Sequence, residues 1–309
     1  MKKIAINIIS IVVLLSVIEI ISNRILRKIY NRNFDSSLVV NNKYYTSSGL
    51  KENTIGKVWG KEFYTDNFGC RKNKTAFDSK KKKWLFIGDS VTEGVGVEDS
   101  STFSSLCSEV FTEHNVCNYS LIGYSTADYV NVLKSVLEKD STTELVTLFY
   151  CLNDVYGSTK AKDLPIIAKQ NFIGKLNGML QNSCSTYKLI KLFFYRHSNR
   201  YFCYDLQFYE KDKVHFVQAM NDLRFCDSLC KMRNIYFNVV MLPYQSQLHD
   251  KNFVPQQLAR EYCTKDSIEF SDASEYLSKQ TNVNSFYLFA DEIHFSEKGH
   301  KAIADFLSQ

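Results

Sequence analysis

The first pattern in the chain is an apolar segment close to the N-terminus. Residues Ile4 to Ser22 are strongly apolar and rich in Ile, Val and Leu. As a helix, these roughly 19 residues span about 28 Å, close to the thickness of the hydrocarbon layer of a bilayer. No small-x-small cleavage site follows the segment. We therefore predict an uncleaved transmembrane signal anchor at residues 1–23, with a buried helix of a soluble protein as the alternative.

From Trp84 onwards, short apolar runs alternate with amphipathic stretches. The runs predict strands at 84–87, 116–121, 144–151, 235–242 and 267–270. Between them the pattern predicts helices at 102–113 and around 256–264, one ending near 232, and a last one at the C-terminus. It also predicts a helix that Ser125 or Thr126 caps and whose buried face runs from Ala127 to Leu137. Short, fully apolar runs suit strands that are buried on both faces of a parallel sheet. We therefore predict an α/β domain with about five parallel strands and helices on both faces.

Two stretches do not follow this alternation. Residues 24–79 lack a clear period and are rich in Asn, Lys, Tyr and Ser, which predicts a juxtamembrane linker and an irregular lead-in. Residues 155–213 carry many aromatic and basic residues in helical patterns, which predicts a helical insertion within the main domain at 80–309. The insertion fits a lid or substrate wall, and it fits equally well helices that only cover the sheet.

The composition disfavours several classes of partner and cofactor. The net charge is +5, and much of the basic excess flanks the first apolar segment, which suits a membrane interface better than nucleic acid. The nine cysteines are odd in number and contain no Cys-x-x-Cys pair, which argues against a dense disulfide framework and against a zinc site. The cysteine count still allows one or two disulfides. We expect no metal, no organic cofactor and no nucleic-acid partner.

Two rules disagree about the orientation of the anchor. More basic residues follow the apolar segment than precede it, so the positive-inside rule would keep the main domain in the cytoplasm. A short Met-Lys-Lys start before an apolar core is instead typical of an export signal. We expect the main domain to lie outside the cytoplasm, on a single-pass anchor.

Polar residues follow several of the predicted strands and carry the candidate chemistry. Ser90, Gly123 and Asn153 each follow a strand, and the carboxyl ends of parallel strands share one edge of the sheet. Asp291 and His294 are three residues apart, which places both side chains on one face of a helical turn. A serine nucleophile needs an imidazole base, a carboxylate that orients the base, and donors for the oxyanion.

Each of these residues also has a simpler interpretation. Gly88-Asp89-Ser90 fits an ordinary turn in which Asp89 or Ser90 caps a helix. Asn153-Asp154 alone fits a turn, and His294 alone fits an ordinary packed histidine. The sequence also leaves open whether Asp291, Glu292 or Asp154 contacts His294.

Together and in this order, the motifs resemble the four blocks of the SGNH (GDSL-type) hydrolase superfamily. The blocks are Gly88-Asp89-Ser90, Gly123 after Asn118 to Ile122, Asn153-Asp154, and Asp291-x-x-His294. The resemblance implies a flavodoxin-like three-layer α/β/α sandwich. It also implies a catalytic triad of Ser90, Asp291 and His294, with an oxyanion hole from Ser90, Gly123 and Asn153. One position departs from the family, because Cys151 stands where the third block usually has glycine.

The resemblance implies a serine esterase that forms an acyl-Ser90 intermediate. The anchor and the lead-in, including the Asn-Phe-Gly-Cys-Arg segment at 67–71, resemble membrane-anchored bacterial members associated with surface polysaccharides. We therefore expect an ester substrate that is an acylated small molecule or a glycan, with an O-acetyl or other short acyl group on a cell-envelope glycan. Two alternatives remain: an O-acyltransferase that uses the same triad, and a non-catalytic glycan-binding or assembly protein.

Overall fold

The computed structural model describes residues 2–41, 47–156, 172–194, 197–211, 213–291 and 293–309. The chain divides into two compact units. The helical unit comprises Met1–Asn31 and Pro165–His197, and the sheet unit comprises Arg32–Leu164 and Ser198–Gln309.

The strands and α-helices of the described residues are numbered in chain order. The strands are β1 (Val39–Asn41), β2 (Ser48–Leu50), β3 (Ile55–Val58), β4 (Lys61–Tyr64), β5 (Lys82–Ile87), β6 (His114–Asn118), β7 (Thr143–Tyr150), β8 (Tyr236–Met241) and β9 (Glu269–Asp272). The first six helices are α1 (Lys2–Ile29), α2 (Ser90–Glu93), α3 (Phe103–Val110), α4 (Thr126–Leu137), α5 (Phe172–Ser183) and α6 (Ser185–Phe194). The others are α7 (His197–Glu210), α8 (Lys213–Lys231), α9 (Gln245–Asp250), α10 (Val254–Lys265), α11 (Ala273–Leu277) and α12 (Glu297–Leu307).

A five-stranded parallel sheet forms the centre of the sheet unit. Its strand order is β6-β5-β7-β8-β9. Leu85, Phe86 and Ile87 of β5 are completely buried, as expected for a strand with helices on both faces. Helix α3 packs with α12, and α4 packs with α8. The prediction of an α/β sandwich with about five parallel strands is confirmed.

All five strands of this sheet differ from their predicted limits by up to three residues at an end, and two of the shifts have local reasons. Strand β6 ends at Asn118, whose side-chain Oδ1 accepts a hydrogen bond from the backbone N–H of Ser120 at 3.1 Å and so begins a turn. Strand β9 begins at Glu269 and not at Ser267, because Ser267 has a φ of 54°, which no strand residue adopts.

The lead-in has more structure than its sequence pattern predicted. Strands β1 and β2 pair in antiparallel fashion, as do β3 and β4. The Arg71 side chain is buried, and its guanidinium donates hydrogen bonds to Asp99 Oδ1 at 2.7 Å and to the carbonyls of Glu93 and Val97 at 2.6 and 2.7 Å. Strands of only three or four residues are too short to show a period, which is why the pattern did not predict them.

The predicted insertion at 155–213 divides between the two units. Residues 157–171, 195, 196 and 212 of the insertion lie outside the described residues. Helices α5 and α6 belong to the helical unit, together with α1. The described part of α7 packs in the sheet unit, where the buried Tyr209 hydroxyl donates to the Leu152 carbonyl at 2.9 Å. The sequence pattern predicted a single helical insertion within the main domain.

Helix α1 is longer than the predicted anchor and ends at Ile29. Its stretch Ile6–Ile29 contains an 18-residue window with a mean hydropathy of 2.2 and is long and apolar enough to cross a membrane. Length and composition alone support this property.

Candidate active site

Ser90 lies in a sharp turn between β5 and the short helix α2. Asp89 caps this helix, and its Oδ1 accepts a hydrogen bond from the N–H of Val91 at 2.9 Å. A side chain at Gly88 would place its Cβ 2.2 Å from Thr92 Oγ1 and 3.1 Å from the Phe149 carbonyl. Only glycine therefore lets the chain turn this closely beneath Ser90.

The structure joins Ser90, His294 and Asp291 in one chain of hydrogen bonds. Ser90 Oγ lies 2.8 Å from His294 Nε2, and His294 Nδ1 lies 2.7 Å from Asp291 Oδ1. Because Nδ1 faces a carboxylate, it carries the proton, and Nε2 is left to accept the hydrogen bond of the Ser90 hydroxyl. The side chains of Asp291 and His294 are mostly buried, with exposed fractions of 3% and 13%.

Asp291 is held in its charged form. Burial alone would raise the pKa of this carboxyl group, but the charge and hydrogen bonds of His294, with the charge of Arg32, lower it to about 2. The lowered pKa stabilises the folded protein above the ordinary value of 3.8, and this contribution is lost as the pH falls towards about 2. At neutral pH the carboxylate is fully available to orient the imidazole.

Of the three acidic residues that the sequence left as candidates for the contact with His294, the structure describes two. Asp154 is completely buried, and its Oδ2 accepts a hydrogen bond from the Cys151 N–H at 2.7 Å. It thus fixes the end of β7, whereas Asp291 contacts the imidazole. Glu292 lies outside the described residues.

Two lead-in residues that the sequence analysis did not single out lie against this chain of hydrogen bonds. Arg32 Nη2 is 2.9 Å from Asp291 Oδ2, the oxygen that His294 does not use. The Trp59 ring packs edge-on against the His294 ring at a centroid distance of 4.6 Å and an angle of 69°. The Arg32 guanidinium also lies over the Trp59 ring at 4.9 Å, so the two residues form one group.

Trp59 is presented by a strained turn. It occupies the first position of the two-residue turn between β3 and β4, with a φ of 52°, and Gly60 follows with a φ of 79°. Two positive φ angles are typical of a type I′ turn, where asparagine and glycine are favoured and a bulky residue is strained. A tryptophan at this position, one of two in the chain, is a sequence signal that could have indicated a functional side chain.

Gly123 lies in the turn after β6, beside the Ser90 helix. It has a φ of 85°, and a Cβ built on it would meet no atom within 4 Å, so this side of the turn is open. The N–H of the preceding Ile122 donates to Glu93 Oε2 at 2.7 Å. Since Glu93 lies three residues after Ser90, this bond ties the Gly123 turn to the helix that carries the serine.

The Asn153 amide is oriented from both ends. Its Nδ2 donates to Asp89 Oδ2 at 3.2 Å, and the same oxygen lies 3.5 Å from Ser90 Oγ. At the other end, the Tyr244 hydroxyl lies 3.2 Å from Asn153 Oδ1 and 2.8 Å from Oδ2 of the buried Asp205. The amide nitrogen is therefore held against Asp89, whose carboxylate also lies beside the Ser90 hydroxyl. Asp205 belongs to α7, so this helix supports the candidate site.

Cys151, the departure from the family pattern, does not reach the Ser90 hydroxyl by any described contact. Its side chain is 1% exposed, and burial raises the pKa of its thiol well above the usual value. The cysteine therefore packs as a neutral thiol at the end of β7, in the core. All nine cysteines are free thiols, and no group of three His, Cys, Asp or Glu among the described residues could hold a metal ion.

The burial of Glu93 should make the stability of the folded protein depend on pH. Burial raises the pKa of this carboxyl group to about 8, well above its ordinary 4.5, so the folded protein holds it protonated at neutral pH. Wild-type stability should therefore fall between those two pH values, because the unfolded chain releases the proton first. Glu93→Gln keeps an acceptor for Ile122 but cannot ionise. We expect the melting temperature of this variant, relative to wild type, to rise steadily from about pH 5 to about pH 9.

The matched control is Glu269→Gln, which changes an exposed carboxylate on β9. Thermal unfolding of the three proteins, followed by circular dichroism across this pH range, measures the effect. If the difference in melting temperature between Glu93→Gln and wild type does not change with pH, the assignment of a protonated Glu93 is contradicted.

Comparison with known proteins gives the family of the chain. Residues 85–307 match the family model described as GDSL-like Lipase/Acylhydrolase. No curated protein sequence matches the chain. Similar solved structures include TesA, with 14% identity, coverage of 74% of this chain and 96% of that chain, and a TM-score of 0.45.

Two further solved structures are of comparable similarity. The psychrotrophic esterase EstA from Pseudoalteromonas sp. has 11% identity, coverage of 74% of this chain and 95% of that chain, and a TM-score of 0.44. The lipase/acylhydrolase from Enterococcus faecalis has 15% identity, coverage of 73% and 93%, and a TM-score of 0.43. The family model spans well over half of the sequence, and the chain therefore belongs to the GDSL-like lipase/acylhydrolase family, as a hydrolase that acts on ester bonds.

Proposed function

We propose that the chain is a serine esterase in which Ser90 is the nucleophile, His294 the general base and acid, and Asp291 the residue that orients the imidazole. The observation that carries this proposal is the continuous set of hydrogen bonds from Ser90 Oγ through His294 to Asp291. Such an arrangement activates a serine that would otherwise be a weak nucleophile at neutral pH.

The proposed reaction has two stages. Ser90 Oγ attacks the ester carbonyl and its proton moves to His294 Nε2; the tetrahedral intermediate then collapses, and the imidazolium returns the proton to the departing alcohol. A water molecule then attacks the acyl-Ser90 ester, with His294 again accepting and returning the proton. The products are the free acid, the alcohol and the original serine.

The oxyanion of each intermediate is proposed to accept hydrogen bonds from the backbone N–H groups of Ser90 and Gly123 and from the Asn153 side chain. The open space at Gly123 and the fixed direction of the Asn153 amide support this role. Donors that are already oriented stabilise the developing charge without reorganisation.

The proposed substrate is an O-acetyl or other short acyl ester on a cell-envelope glycan or an acylated small molecule. Support comes from the resemblance of the anchor and lead-in to membrane-anchored proteins of surface-polysaccharide pathways. The proposed arrangement is a single-pass anchor at 1–23, a lead-in at 24–79 and a hydrolase domain at 80–309 outside the cytoplasm. A periplasm-active reporter fused to the C-terminus tests this orientation.

A fluorophosphonate probe tests the esterase mechanism directly. Ser90 Oγ should displace fluoride from phosphorus, and mass spectrometry of the full chain should find one adduct, on the peptide that contains Ser90. Ser90→Ala should abolish labelling, whereas Ser228→Ala, which changes an exposed serine on α8, should label like wild type. Absence of labelling of folded wild type, or labelling that survives in Ser90→Ala, would refute the mechanism. Acid and alcohol as the only products, with a glycan acceptor present, distinguish hydrolysis from transfer.

Trp59 is proposed to position His294 through the contact between their rings. Trp59→Asn should keep the turn, because Asn-Gly is the favoured pair for a type I′ turn, but should lose the indole. We expect kcat/KM to fall about tenfold, since an aromatic pair contributes roughly 0.5–1.5 kcal/mol. Steady-state kinetics with a chromogenic ester measures this loss.

The matched control for this position is Trp59→Phe, which retains an aromatic ring and should retain most of the activity. Melting temperatures of both variants show whether the fold is kept. Full activity in a folded Trp59→Asn protein would remove Trp59 from the proposed mechanism.

A further inference from the structure

Helix α6 packs along one face of the membrane-length helix α1 within the helical unit. On α1 this face contains Ser22 and Leu26, which are buried, and Glu19, which is half-buried. Spacings of three and four residues place these side chains on one side of a helix. Leu192 of α6 is also buried. The other isoleucine, leucine and valine residues from Ile4 to Ile25 are exposed, so this face is where that part of the helix meets protein.

The Glu19 carboxylate and the first donor groups of α6 satisfy each other's hydrogen-bonding needs. Glu19 Oε1 accepts a hydrogen bond from the N–H of Ser185, and Oε2 accepts from the N–H and the hydroxyl of Thr186 at 2.9 and 2.8 Å. A carboxylate in an apolar membrane segment is costly without partners, and the first N–H groups of a helix also need acceptors. The contact explains why the apolar segment contains a glutamate.

The position of Glu19 gives the depth of this contact along α1. Glu19 lies five residues before Arg24, a distance of about 7.5 Å along a helix, on the apolar side. Helices α5 and α6 have 12 and 10 residues and are therefore about 18 and 15 Å long, too short to cross a hydrocarbon layer of about 30 Å. A hairpin of this length can only enter and leave a membrane on the same side.

The hairpin exposes apolar side chains on both of its helices. On α5, Leu176, Met179 and Leu180 are exposed at spacings of three and four residues, and on α6, Ile190 and Phe193 are exposed three residues apart. Met179 and Phe193 are 67% and 65% exposed. Both sets form exposed apolar stripes, as in helices that lie in a membrane interface.

Basic residues lie where lipid headgroups would be. Arg24, Arg27 and Lys28 follow the apolar part of α1, and Lys188 of α6 is exposed, with its Nζ 4.8 Å from the Tyr30 ring. Lysine and arginine at the end of an apolar segment favour the headgroup region. Lys188 follows the Glu19 contact at Thr186 by only two residues, but its long side chain extends along α1 to Tyr30, in the direction of these basic residues.

We propose that the α5–α6 hairpin is a second membrane element, inserted beside α1 from the side on which α1 ends, with lipid as its partner. This inference rests on the proposed role of α1 as a membrane anchor. Polar backbone in the turn between α5 and α6 is tolerated at this depth because Glu19 supplies its acceptors. The insertion in the hydrolase sequence thus serves to hold the chain to the membrane.

Lipid photo-crosslinking of the full chain in vesicles of phosphatidylethanolamine and phosphatidylglycerol tests the proposal. A photoreactive amino acid is placed at Met179, at Phe193, at Ile11 of α1, and at Val217, an exposed apolar position of α8 in the sheet unit. We expect lipid adducts at Met179 and Phe193 in yields similar to Ile11 and at least fivefold above Val217, because lipid-facing residues contact acyl chains throughout.

The crosslinking results distinguish the insertion of the hairpin from the anchoring by α1. Adducts at Ile11 alone would overturn the hairpin insertion and leave the anchor intact, whereas no adduct at Ile11 would overturn the anchor itself. Adducts with protein at Met179, from a second copy or another partner, would also overturn the lipid assignment. Glu19→Ala should lower the yield at Met179 several-fold and leave Ile11 unchanged, and an unchanged Met179 yield would remove Glu19 from the docking contact.

Discussion

Replacement of Ser90 by alanine is expected to lower kcat/KM for a p-nitrophenyl acetate substrate by about 10⁴-fold or more. The proposed mechanism forms a covalent bond to Ser90 Oγ, and no neighbouring group in the described site replaces it: the closest hydrogen-bonded atom is His294 Nε2 at 2.8 Å. Loss of the nucleophile in a serine hydrolase removes about this much activity and leaves only the contribution of oxyanion donors and binding.

The control for this experiment is again Ser228→Ala, together with the melting temperature of each variant. Ser90 is 7% exposed in a tight turn, so the alanine variant should fold normally, and substrate binding should be little changed. Retention of more than about one tenth of the wild-type rate by a folded Ser90→Ala protein would contradict nucleophilic catalysis by this residue.

The sequence predicted those features of the fold and site that depend on short-range patterns. The buried residues of β5 form an unbroken apolar run, and the turn at Gly88 follows it directly, so both could be predicted without knowledge of the rest of the chain. The pair Asp291 and His294 is likewise local, because a separation of three residues brings the side chains together in one turn. The confirmed parallel sheet then explains why Ser90 and Asn153 lie near each other.

Features that depend on long-range contacts in stretches without a period could not be predicted. Arg32 contacts Asp291 across more than 250 residues, and Trp59 reaches His294 from a turn between two strands of only four residues each. Neither position has a hydrophobic period that places it in the fold. The pattern predicted an irregular lead-in because the order of this stretch comes from single buried groups such as Arg71.

The long-range contacts of the helices in the insertion could not be predicted either. Its helical pattern and aromatic content were visible in the sequence, but nothing local assigns α5 and α6 to the helical unit and α7 to the sheet unit. The assignment depends on contacts such as those of Glu19 with Thr186, and of Tyr244 with Asp205. The pattern therefore predicted the helices but not their partners.

Asp291→Asn is the second substitution with a large expected effect. Asparagine has the same shape and can still accept at Oδ1, but its charge is lost, and it can donate to Nδ1 and so favour the wrong imidazole tautomer. We expect kcat to fall by about 10³- to 10⁴-fold. Asp305→Asn, which removes a surface carboxylate paired with Lys301 at 3.0 Å, is the control and should retain wild-type activity.

The role of Arg32 follows from combining this variant with Arg32→Gln. If Arg32 acts through Asp291, its loss should lower kcat/KM about tenfold in the wild-type background, since coupled residues in one network contribute roughly 0.5–3 kcal/mol. In the Asp291→Asn background the same substitution should have almost no further effect, because the carboxylate that Arg32 pairs with is absent.

Arg32→Lys keeps the charge and should restore part of the activity, whereas Arg260→Gln, at a surface arginine paired with Glu275, should have no effect. Equal losses from Arg32→Gln in both backgrounds would mean that Arg32 affects the substrate or the fold independently of Asp291. If the losses from Arg32→Gln and Asp291→Asn are instead not additive, Arg32 of the lead-in takes part in the reaction through Asp291. The residues that distinguish this site would then lie in the first part of the sheet unit, which the family model at 85–307 does not include.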